Sequence, residues 1–423
     1  MNVLVIGNGG REHALVWKIR KSPLVKEIYC ARGNAGTAEI AINVDIPPED
    51  IIGLKNFAIA NKIDLTVVGP ELPLSLGLAD EFLKNGLLIV GPIQGAAEIE
   101  SSKVFSKLVM REAGIPTADF EIFDDADKAE KYIMGVNRPL VVKADGLAQG
   151  KGVFPCLNKG EAIAAVNAIM RERLFGQAGN RIVIEEFLEG EEVSFMGITD
   201  GEIFIPFATS QDHKRAYDND EGPNTGGMGA FSPARILGSE EQQRVISEII
   251  SPLLKKMSEK GRPYRGFLYA GLMVKDGRPY VLEFNARLGD PETQPLMLRM
   301  KSDIVPMLVG AAQGNLKAQE ISWDERFSVC VVMTAQGYPG SYRKGMEILG
   351  LEQFRDSEDI VIFHAGTLKD CERIITNGGR VLGVTGIDVS PRNAIEKVYS
   401  AISKIHFDGS FYRRDIGKKV LLK

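Results

Sequence analysis

The sequence has few cysteines, and they are far apart. Among its 423 residues there are four cysteines, and no two of them form a CxxC pair. Zinc sites and disulfide frameworks need closely or regularly spaced cysteines, so neither is indicated, and a reduced cytoplasm is the expected compartment. The four are Cys30, Cys156, Cys330 and Cys371.

Histidine, positive charge and long apolar runs are also scarce. The four histidines are scattered, and a lone histidine is more often structural than catalytic. A formal net charge of −5 argues against general affinity for nucleic acid or for an anionic membrane. No apolar run has the length of a membrane span, and the first residues lack the basic and apolar segments of a secretory leader.

The composition is that of a globular protein with several domains. Hydrophobic residues make up 44% and charged residues 25% of the chain, which are ordinary values. A chain of 423 residues is too long for one core and suggests about three domains. Glycine is abundant, with 45 residues, which indicates many tight turns and close approaches of backbone to a ligand.

The first hundred residues repeat one pattern, in which a short apolar run is followed by a turn, often glycine-containing, and a helical stretch. This pattern predicts an open parallel α/β sheet, and in such sheets ligands bind beyond the carboxyl ends of the strands. The apolar runs are residues 3–6, 27–30, 65–68 and 87–90.

The turn Gly7-Asn-Gly-Gly10 precedes a predicted helix over residues 11–21. Free N–H groups at the start of a helix can hold a phosphate, and the alternative is a purely structural turn. The turn departs from the dinucleotide fingerprint GxGxxG at Glu12, and the second strand ends at Ala31-Arg32 without the acid that would bind a ribose diol. A nicotinamide-dependent oxidoreductase is therefore a disfavoured alternative.

A lysine and a glycine-rich loop end the apolar strand predicted at residues 139–143. Lys143 can reach phosphate oxygens, while Gly146, Gly150 and Gly152 let backbone N–H groups close over a nucleotide. The loop is not a Walker A loop, because its spacing is short and Gly152 replaces the Ser or Thr. The alternative is a mobile surface hairpin.

Several other segments have a local signature. A helix is predicted from residue 101 to about residue 114, and Asp-Gly pairs at 200–201 and 276–277 predict hairpins. Residues 211–215 concentrate charge without an amphipathic period, which favours a site loop over a packed helix. Residues 222–229 are so rich in turn-forming residues that we expect neither helix nor strand there.

The stretch from residue 281 to residue 294 carries an unusual number of polar groups for a core strand. Glu283 and Asn285 lie two apart on a predicted strand, so both point to one face and can present oxygens to one cation. Mg²⁺ is commonly held by one or two carboxylates together with substrate phosphates. Arg287 offers a planar donor fork for a phosphate or carboxylate. The alternative is a half-buried strand with a solvated polar face.

A domain boundary is indicated at about residues 320–325, and a small α/β domain is predicted after it. Its strands are predicted at residues 328–333, 360–363 and 381–385, with helices between them. No catalytic cluster is recognised in this last part of the chain.

Several long motifs together resemble those of the ATP-grasp ligases, and among them the phosphoribosylamine-glycine ligase family. The resemblance runs the full length, and its departures are minor, such as Ala286 in place of a frequent Cys. It implies an N-terminal open parallel α/β domain (1–102), a central ATP-grasp domain (103–326) with a lid at about 120–186, and a small C-terminal α/β domain (327–423). The motifs are Gly7-Asn-Gly-Gly-Arg-Glu-His-Ala14, Gly33-Asn-Ala-Gly-Thr37, Val68-Gly-Pro-Glu71, Lys143-Ala-Asp-Gly146, Gln211-Asp-His-Lys-Arg215, Gly222-Pro-Asn-Thr-Gly-Gly-Met-Gly229, Arg287-Leu-Gly-Asp-Pro-Glu-Thr-Gln294 and Thr376-Asn-Gly-Gly-Arg380.

The resemblance implies an ATP-dependent joining of glycine to 5-phosphoribosylamine through an acyl phosphate, an early step of purine biosynthesis. ATP and Mg²⁺ or Mn²⁺ would be the cofactors, the partners would be small molecules only, and a monomer or weak dimer is expected. The alternative within the same superfamily is a ligase with a different acid and amine.

The resemblance also implies roles for individual residues. The catalytic residues would be Arg287, Asp290 and Lys143, and the metal ligands Glu283 and Asn285. Nucleotide would be bound by Lys103, Lys143, Glu185, Glu186, Phe187, Leu188, Glu192, Arg215 and Asn224, with 185–188 at the adenine and Glu192 at the ribose. The other substrates would be bound by Gly7, Asn8, Gly9, Gly10, Gly33, Asn34, Gly36, Glu71, Asp212, Lys214, Arg287 and Gly289.

Overall fold

The N-terminal part of the chain forms a five-stranded parallel sheet flanked by helices, as the apolar runs predicted. The computed structural model of the protein describes residues 1–147 and 152–421. The strand order is β3-β2-β1-β4-β5. The elements are β1 (Asn2–Gly7), α1 (Gly10–Arg20), β2 (Glu27–Arg32), α2 (Thr37–Ile40), β3 (Ile42–Val44), α3 (Ile51–Ala60), β4 (Leu65–Val68), α4 (Glu71–Ser75), α5 (Leu78–Lys84), β5 (Ile89–Val90), α6 (Gln94–Ser101) and α7 (Lys103–Ala113).

Residues 120–186 contain a separate four-stranded sheet with the order β6-β9-β7-β8, in which neighbouring strands are antiparallel. Its helices cover one face and form an apolar cluster of their own around Ile133, Val142 and Ile184. Gly150 and Lys151 of the glycine-rich loop lie outside the described residues. The elements are β6 (Phe120–Phe123), α8 (Ala126–Gly135), β7 (Leu140–Ala144), β8 (Val153–Cys156), α9 (Lys159–Val166) and β9 (Ile182–Glu186).

The central part is built on an antiparallel sheet with the order β11-β10-β16-β17. Both Asp-Gly pairs form the predicted hairpins, and Gly201 and Gly277 have φ values of +104° and +72°, which glycine adopts without strain. The elements are β10 (Glu191–Thr199), β11 (Phe204–Pro206), β12 (Gln211–Asp212), β13 (Arg215–Tyr217), β14 (Glu221–Asn224), β15 (Gly229–Ser232), α10 (Ser239–Val245), α11 (Ser251–Glu259), β16 (Gly266–Lys275), β17 (Arg278–Asn285), α12 (Thr293–Arg299) and α13 (Val305–Gln313).

The turn-rich segment at 222–229 corrects one prediction, because part of it is strand. Glu221–Asn224 pairs with β13 in a two-stranded ribbon. Pro223 is tolerated there because a ribbon strand has a free edge and its proline needs no partner on that side. The segment ends where β15 begins, at Gly229.

The C-terminal part shares a sheet with the central part, in the order β12-β15-β18-β22-β19. The strands predicted at 328–333, 360–363 and 381–385 are confirmed as β18, β19 and β22. The elements are β18 (Phe327–Thr334), β19 (Ile360–His364), β20 (Thr367–Asp370), β21 (Arg373–Thr376), β22 (Arg380–Asp388), α14 (Pro391–Ile402) and α15 (Lys418–Leu421).

Helix α1 joins the three parts of the molecule. It packs on β1 of its own sheet, on α12 and on β19, and nearly all of its residues are buried. Its Arg11 Nη1 donates to Leu288 O at 2.9 Å, and Lys18 Nζ donates to the carbonyl of Met300. Among residues 1–147 and 152–421, no helix combines the length and the apolar character that crossing a membrane requires.

Candidate active site

One large cavity of about 1190 Å³ lies where the three parts of the chain meet. Every predicted site residue lines it except Gly10, Gly33, Asn34 and Gly36. Those that line it are Gly7, Asn8, Gly9, Glu71, Lys103, Lys143, Glu185, Glu186, Phe187, Leu188, Glu192, Asp212, Lys214, Arg215, Asn224, Glu283, Asn285, Arg287, Gly289 and Asp290.

The end of β17 presents two oxygen-bearing side chains to the cavity. Among the described residues, neither Glu283 nor Asn285 has a side-chain hydrogen bond or an ion pair. Burial alone would raise the pKa of Glu283, but the positive charges around it, above all that of Lys214, outweigh burial and lower this pKa. Glu283 is therefore an ionised carboxylate that has no partner in the described part of the chain, and it lies beside an amide oxygen.

Lysines approach these oxygens from two sides. Lys143 Nζ donates to Leu282 O at 3.1 Å and pairs with Glu185 at 2.8 Å. Lys103 stands at the start of α7 and donates to Gly146 O at 3.2 Å. Burial lowers the pKa of Lys103, although Glu283 opposes this shift. A site with this much positive charge favours an anionic ligand.

Arg287 is held between two carboxylates. Its Nη2 lies 2.9 Å from Glu100 Oε1, and its Nε lies 3.4 Å from Glu71 Oε2. Glu100 also accepts the N–H of Ala286 at 2.6 Å. Burial raises the pKa of Glu100 to about 7, against the effect of Arg287. Glu100 was missed by the sequence reasoning, because nothing in the local pattern of α6 distinguishes it from a surface acid.

Asp290 receives donors from all three parts of the chain. Gln294 Nε2 donates to it at 2.8 Å, the N–H of Arg11 at 3.4 Å, and Arg380 Nη2 lies 3.3 Å away. Burial would raise the pKa of Asp290, but Arg380 and Arg11 lower it. Arg380 Nη1 also donates to Gly226 O at 2.5 Å. Asp290 is therefore ionised and fixed in place.

Arg380 corrects the expectation that the C-terminal part contributes no site cluster. Together with Tyr338, Tyr342 and Lys419 it brings C-terminal side chains to the cavity. The signal that could have found Arg380 is the Thr376-Asn-Gly-Gly-Arg380 motif, which places an arginine directly after a tight glycine turn at the start of a strand.

The turn before α1 lies at the cavity, but carboxylates already occupy part of the helix start. The N–H of Gly9 donates to Glu12 Oε2 at 2.6 Å, and Arg11 Nε pairs with Glu12 Oε1 at 2.6 Å. Glu12, the residue that breaks the dinucleotide fingerprint, thus caps its own helix. A Cβ on Gly9 would lie 2.7 Å from Glu12 Oε2, so only glycine fits without a shift of that carboxylate.

The four predicted residues that do not line the cavity lie in this turn or in the closely packed region next to it. Asn34 is buried, and its Nδ2 donates to Asn8 O at 3.0 Å and to His364 O at 2.8 Å. A Cβ on Gly36 would lie 2.2 Å from His13 Cε1, and one on Gly33 would meet Asn43. Gly10 packs in the same way against Gln294 of α12.

A second acidic and basic group lines the cavity near β10 and β12. Lys214 Nζ pairs with Glu192 Oε2 at 2.9 Å. Burial, reinforced by Glu292, raises the pKa of Asp212 well above its usual range. Arg215 Nη1 donates to Gly222 O at 2.7 Å, within the ribbon that brings Asn224 to the cavity.

Models of one protein family match nearly the whole chain. The Phosphoribosylglycinamide synthetase N domain matches residues 1–100, the ATP-grasp (A) domain residues 101–293, and the C domain residues 328–419.

Curated relatives match over their full length. Phosphoribosylamine-glycine ligase of Escherichia coli (strain K12) is 52% identical over 100% of this chain and 99% of its own. The ligase of the same name from Yersinia pestis is 50% identical over 100% of this chain and 100% of its own.

Solved structures show the same architecture. The crystal structure of phosphoribosylamine-glycine ligase from Thermotoga maritima superposes with a TM-score of 0.86 at 35% identity, over 98% of this chain and 100% of that chain. Biotin carboxylase from Campylobacter jejuni has a TM-score of 0.74 at 16% identity, over 99% of this chain and 93% of that one, and shares the fold.

Proposed function

The chain belongs to the phosphoribosylglycinamide synthetase family, and we propose how its cavity carries out the reaction that this membership implies. The protein is an ATP-dependent ligase that joins glycine to 5-phosphoribosylamine in purine biosynthesis. A carboxylate is a poor electrophile, so a glycine oxygen first attacks the γ-phosphorus of ATP and ADP leaves. The amine nitrogen then attacks the acyl carbon, the C–O bond to phosphate breaks, and phosphate leaves as the nitrogen loses a proton. Phosphoryl transfer of this kind depends mainly on positioning and charge neutralisation.

We propose that ATP lies between β17 and the sheet of residues 120–186, which acts as a lid. Lys103, Lys143 and Arg215 line this part of the cavity and neutralise the phosphates, with Asn224 beside them. Residues 185–188 connect the lid sheet to β10 and contact the adenine, and Glu192 contacts the ribose. The single observation that supports this placement best is the ionised Glu283, which has no partner within residues 1–147 and 152–421 and stands among the charges of Lys103, Lys143 and Lys214.

We propose Glu283 and Asn285 as the ligands of Mg²⁺ or Mn²⁺. The donor set fits a hard cation, because it offers one carboxylate and one amide oxygen, neither of which is bonded to another side chain that the structure describes. Within residues 1–147 and 152–421, no three His, Cys, Asp or Glu side chains gather as a complete metal site. Phosphate oxygens and water would therefore complete the coordination. When held by Glu283 and Asn285, the cation would supply positive charge that neutralises the phosphates during transfer.

We propose that Arg287, Gly289 and Asp290 bind and orient glycine and the acyl phosphate. Arg287 is held by Glu71 and Glu100, so its guanidinium is fixed before the substrate arrives. A Cβ on Gly289 would lie 2.4 Å from the Glu292 carboxylate, so backbone and carboxylate approach closely there. A fixed donor fork suits a carboxylate or a phosphate.

We propose that phosphoribosylamine lies at the turn of Gly7, Asn8 and Gly9, near Glu71. The carboxylates of Glu12 and Asp290 already accept N–H groups at this helix start, which reduces its positive potential. We therefore place hydroxyl or amino groups of this substrate, rather than its phosphate, against the turn. This differs from the phosphate that the glycine turn alone predicted.

Two coarser features are also proposals. We propose a cytoplasmic location, since all four cysteines are free and three of them are buried. A monomer or weak dimer is proposed for the assembly, with small molecules as the only partners.

The substrate assignment is tested by varying the acid and the amine. Purified protein with ATP and MgCl₂ should form a new C–N product, seen by mass spectrometry, from glycine and phosphoribosylamine. Replacing glycine by alanine, or phosphoribosylamine by ammonium, should reduce product formation strongly. Preference for another acid or amine would instead support a different ATP-grasp ligase.

A further inference from the structure

A buried carboxylate lies between two lysines on the lid side of the cavity. Glu185 is 2% exposed and belongs to β9. Its Oε2 lies 2.8 Å from Lys143 Nζ, and its Oε1 lies 3.1 Å from Lys107 Nζ. The second contact is an ion pair without hydrogen-bond alignment. One negative charge is thus shared by two positive charges.

Lys107 comes from the body of the molecule rather than from the lid. It lies one turn after Lys103 on α7, so both lysines are on the same face of this helix, and both line the cavity. Its Nζ donates to Thr117 Oγ1 at 2.6 Å, and Thr117 Oγ1 donates to Val281 O at 2.6 Å. Lys107 is therefore anchored through Thr117 to β17, the strand that carries Glu283.

The charge balance of this group explains why a second lysine is useful. If Lys143 alone faced Glu185, the pair would be neutral, and its attraction for a phosphate would be weak. With Lys107 present, the three groups carry a net positive charge, and Lys143 also keeps its bond to Leu282 O at 3.1 Å. Buried charges of this kind are costly unless each has a partner, so the arrangement indicates a function beyond packing.

We propose that Lys107 is a positioning residue for nucleotide phosphates, because it shares Glu185 with Lys143, so that Glu185 does not offset the whole charge of Lys143 and the Lys143 side chain stays available to a phosphate in the cavity. This inference rests on the proposed function, in which Lys143 contacts phosphate. It also gives Glu185 a side-chain role between the lysines, in addition to the adenine contact that the family resemblance implied.

The test is a double-mutant cycle of Lys107→Met and Lys143→Met. Binding of adenylyl imidodiphosphate with MgCl₂ is measured by calorimetry, and binding of adenosine, which has no phosphate, is measured beside it. Lys107→Met should weaken binding of the imidodiphosphate by about 10- to 100-fold. This is the size of loss that is typical when a residue that holds a metal-binding side chain in place, without touching the metal itself, is removed. Adenosine binding should stay unchanged. In the Lys143→Met background, Lys107→Met should have little further effect.

Lys260→Met is the matched control, because Lys260 also pairs with α7, at 2.7 Å from Glu112, and does not line the cavity. Its binding should equal that of the wild type. Lys107→Arg, which keeps the charge, should restore much of the affinity. If Lys107→Met does not give a cooperative unfolding transition, Thr117→Val is used in its place. Thr117→Val removes only the hydroxyl group that anchors Lys107, and it should weaken imidodiphosphate binding several-fold.

Several results would overturn the inference. The first is that Lys107→Met, or Thr117→Val in its place, binds the imidodiphosphate as tightly as the wild type does. The second is that adenosine binding is weakened as much as imidodiphosphate binding. The third is that the effects of Lys107→Met and Lys143→Met are fully additive in the double variant. Wild-type binding in Lys143→Met would refute the proposed role of Lys143 and this inference with it. If Lys143→Met weakens imidodiphosphate binding and Lys107→Met does not, only the inference about Lys107 is refuted.

Discussion

Charged side chains inside the cavity are mostly paired, and the unpaired ones are informative. Arg287 lies between Glu71 and Glu100, and Lys143 pairs with Glu185. Glu283 differs from these, since its carboxylate has neither a hydrogen bond nor an ion pair among the described residues although cations surround it. A half-buried carboxylate that has no partner among the described residues marks the place where a ligand charge is expected.

Glu283→Gln should therefore remove the proposed anionic metal ligand while preserving the shape of the side chain. We expect the turnover rate to fall by about two to three orders of magnitude, roughly 3 to 4 kcal/mol of barrier, with the fold intact. Steady-state ADP release at saturating MgCl₂ and circular dichroism measure the two effects. Glu202→Gln, on the exposed hairpin next to β11, should behave as wild type. Normal turnover in Glu283→Gln would rule out its role as a ligand.

Glu100 should make stability depend on pH. Burial raises its pKa from 4.5 to about 7, so between these values the unfolded chain releases a proton that the folded protein retains. The free energy of unfolding should then fall as pH rises through this window. Glu100→Gln removes this contribution, and its stability relative to wild type should rise by roughly 3 kcal/mol from pH 4.5 to 7. Urea unfolding of both proteins across this pH range measures the difference in stability. If the free energies of unfolding of the two proteins change with pH in parallel, the assignment of Glu100 is contradicted.

At the scale of elements, local patterns predicted most of the framework. The four apolar runs of the first domain, the Asp-Gly hairpins and the C-terminal strands β18, β19 and β22 were predicted in their observed places, whereas the hairpin of β20 and β21 was not predicted. The short strand β3 was missed, because three residues with an exposed Ile42 give no periodic signal. The ribbon strand β14 was missed because its Gly and Pro are typical of turns.

The partners of the site residues were harder to predict than the residues themselves. Glu100 meets Ala286 across 186 positions of sequence, and Arg380 meets Asp290 across 90. Such contacts depend on how the domains pack, and no local period encodes them. Lys107 was missed for the same reason, since on α7 alone it resembles a surface lysine.

The sheet of residues 120–186 should respond to nucleotide as one element. It has its own apolar cluster, and Asp145 at the end of β7 accepts hydrogen bonds from Ser102 and from the N–H of Val104 at the start of α7. Adenylyl imidodiphosphate with MgCl₂ should slow hydrogen exchange in β7 and β8. The β20–β21 hairpin, which does not line the cavity, is the internal control. Unchanged exchange in β7 and β8 at saturating nucleotide would contradict the lid.

At the scale of the whole molecule, the three domains meet at Asp290. Its carboxylate receives Arg11 from the first domain, Gln294 from the central one and Arg380 from the C-terminal one. The large cavity exists because these domains are packed together, and helix α1 contacts both of the others. The C-terminal domain is therefore expected to contribute to the reaction as well as to stability.

Arg380→Ala should lower turnover by about 10- to 100-fold, because Asp290 and the Gly226 turn lose their shared donor. The affinity for adenylyl imidodiphosphate should change little, since the residues that we propose for the nucleotide lie on the other domains. Steady-state kinetics and calorimetry separate the two effects. Arg373→Ala, which breaks an exposed pair with Asp370 on the neighbouring hairpin, should have wild-type kinetics. Equal turnover in both variants would remove Arg380 from the site.

The central claim is that one cavity couples ATP cleavage to the joining of two other substrates. The most direct test is the rate of ADP release by the purified wild-type protein, measured with glycine alone, with phosphoribosylamine alone and with both. Rapid release is expected only when both are present, because the acyl phosphate must be consumed by the amine before the cycle can repeat. An equally rapid release of ADP when either substrate is omitted would contradict the account.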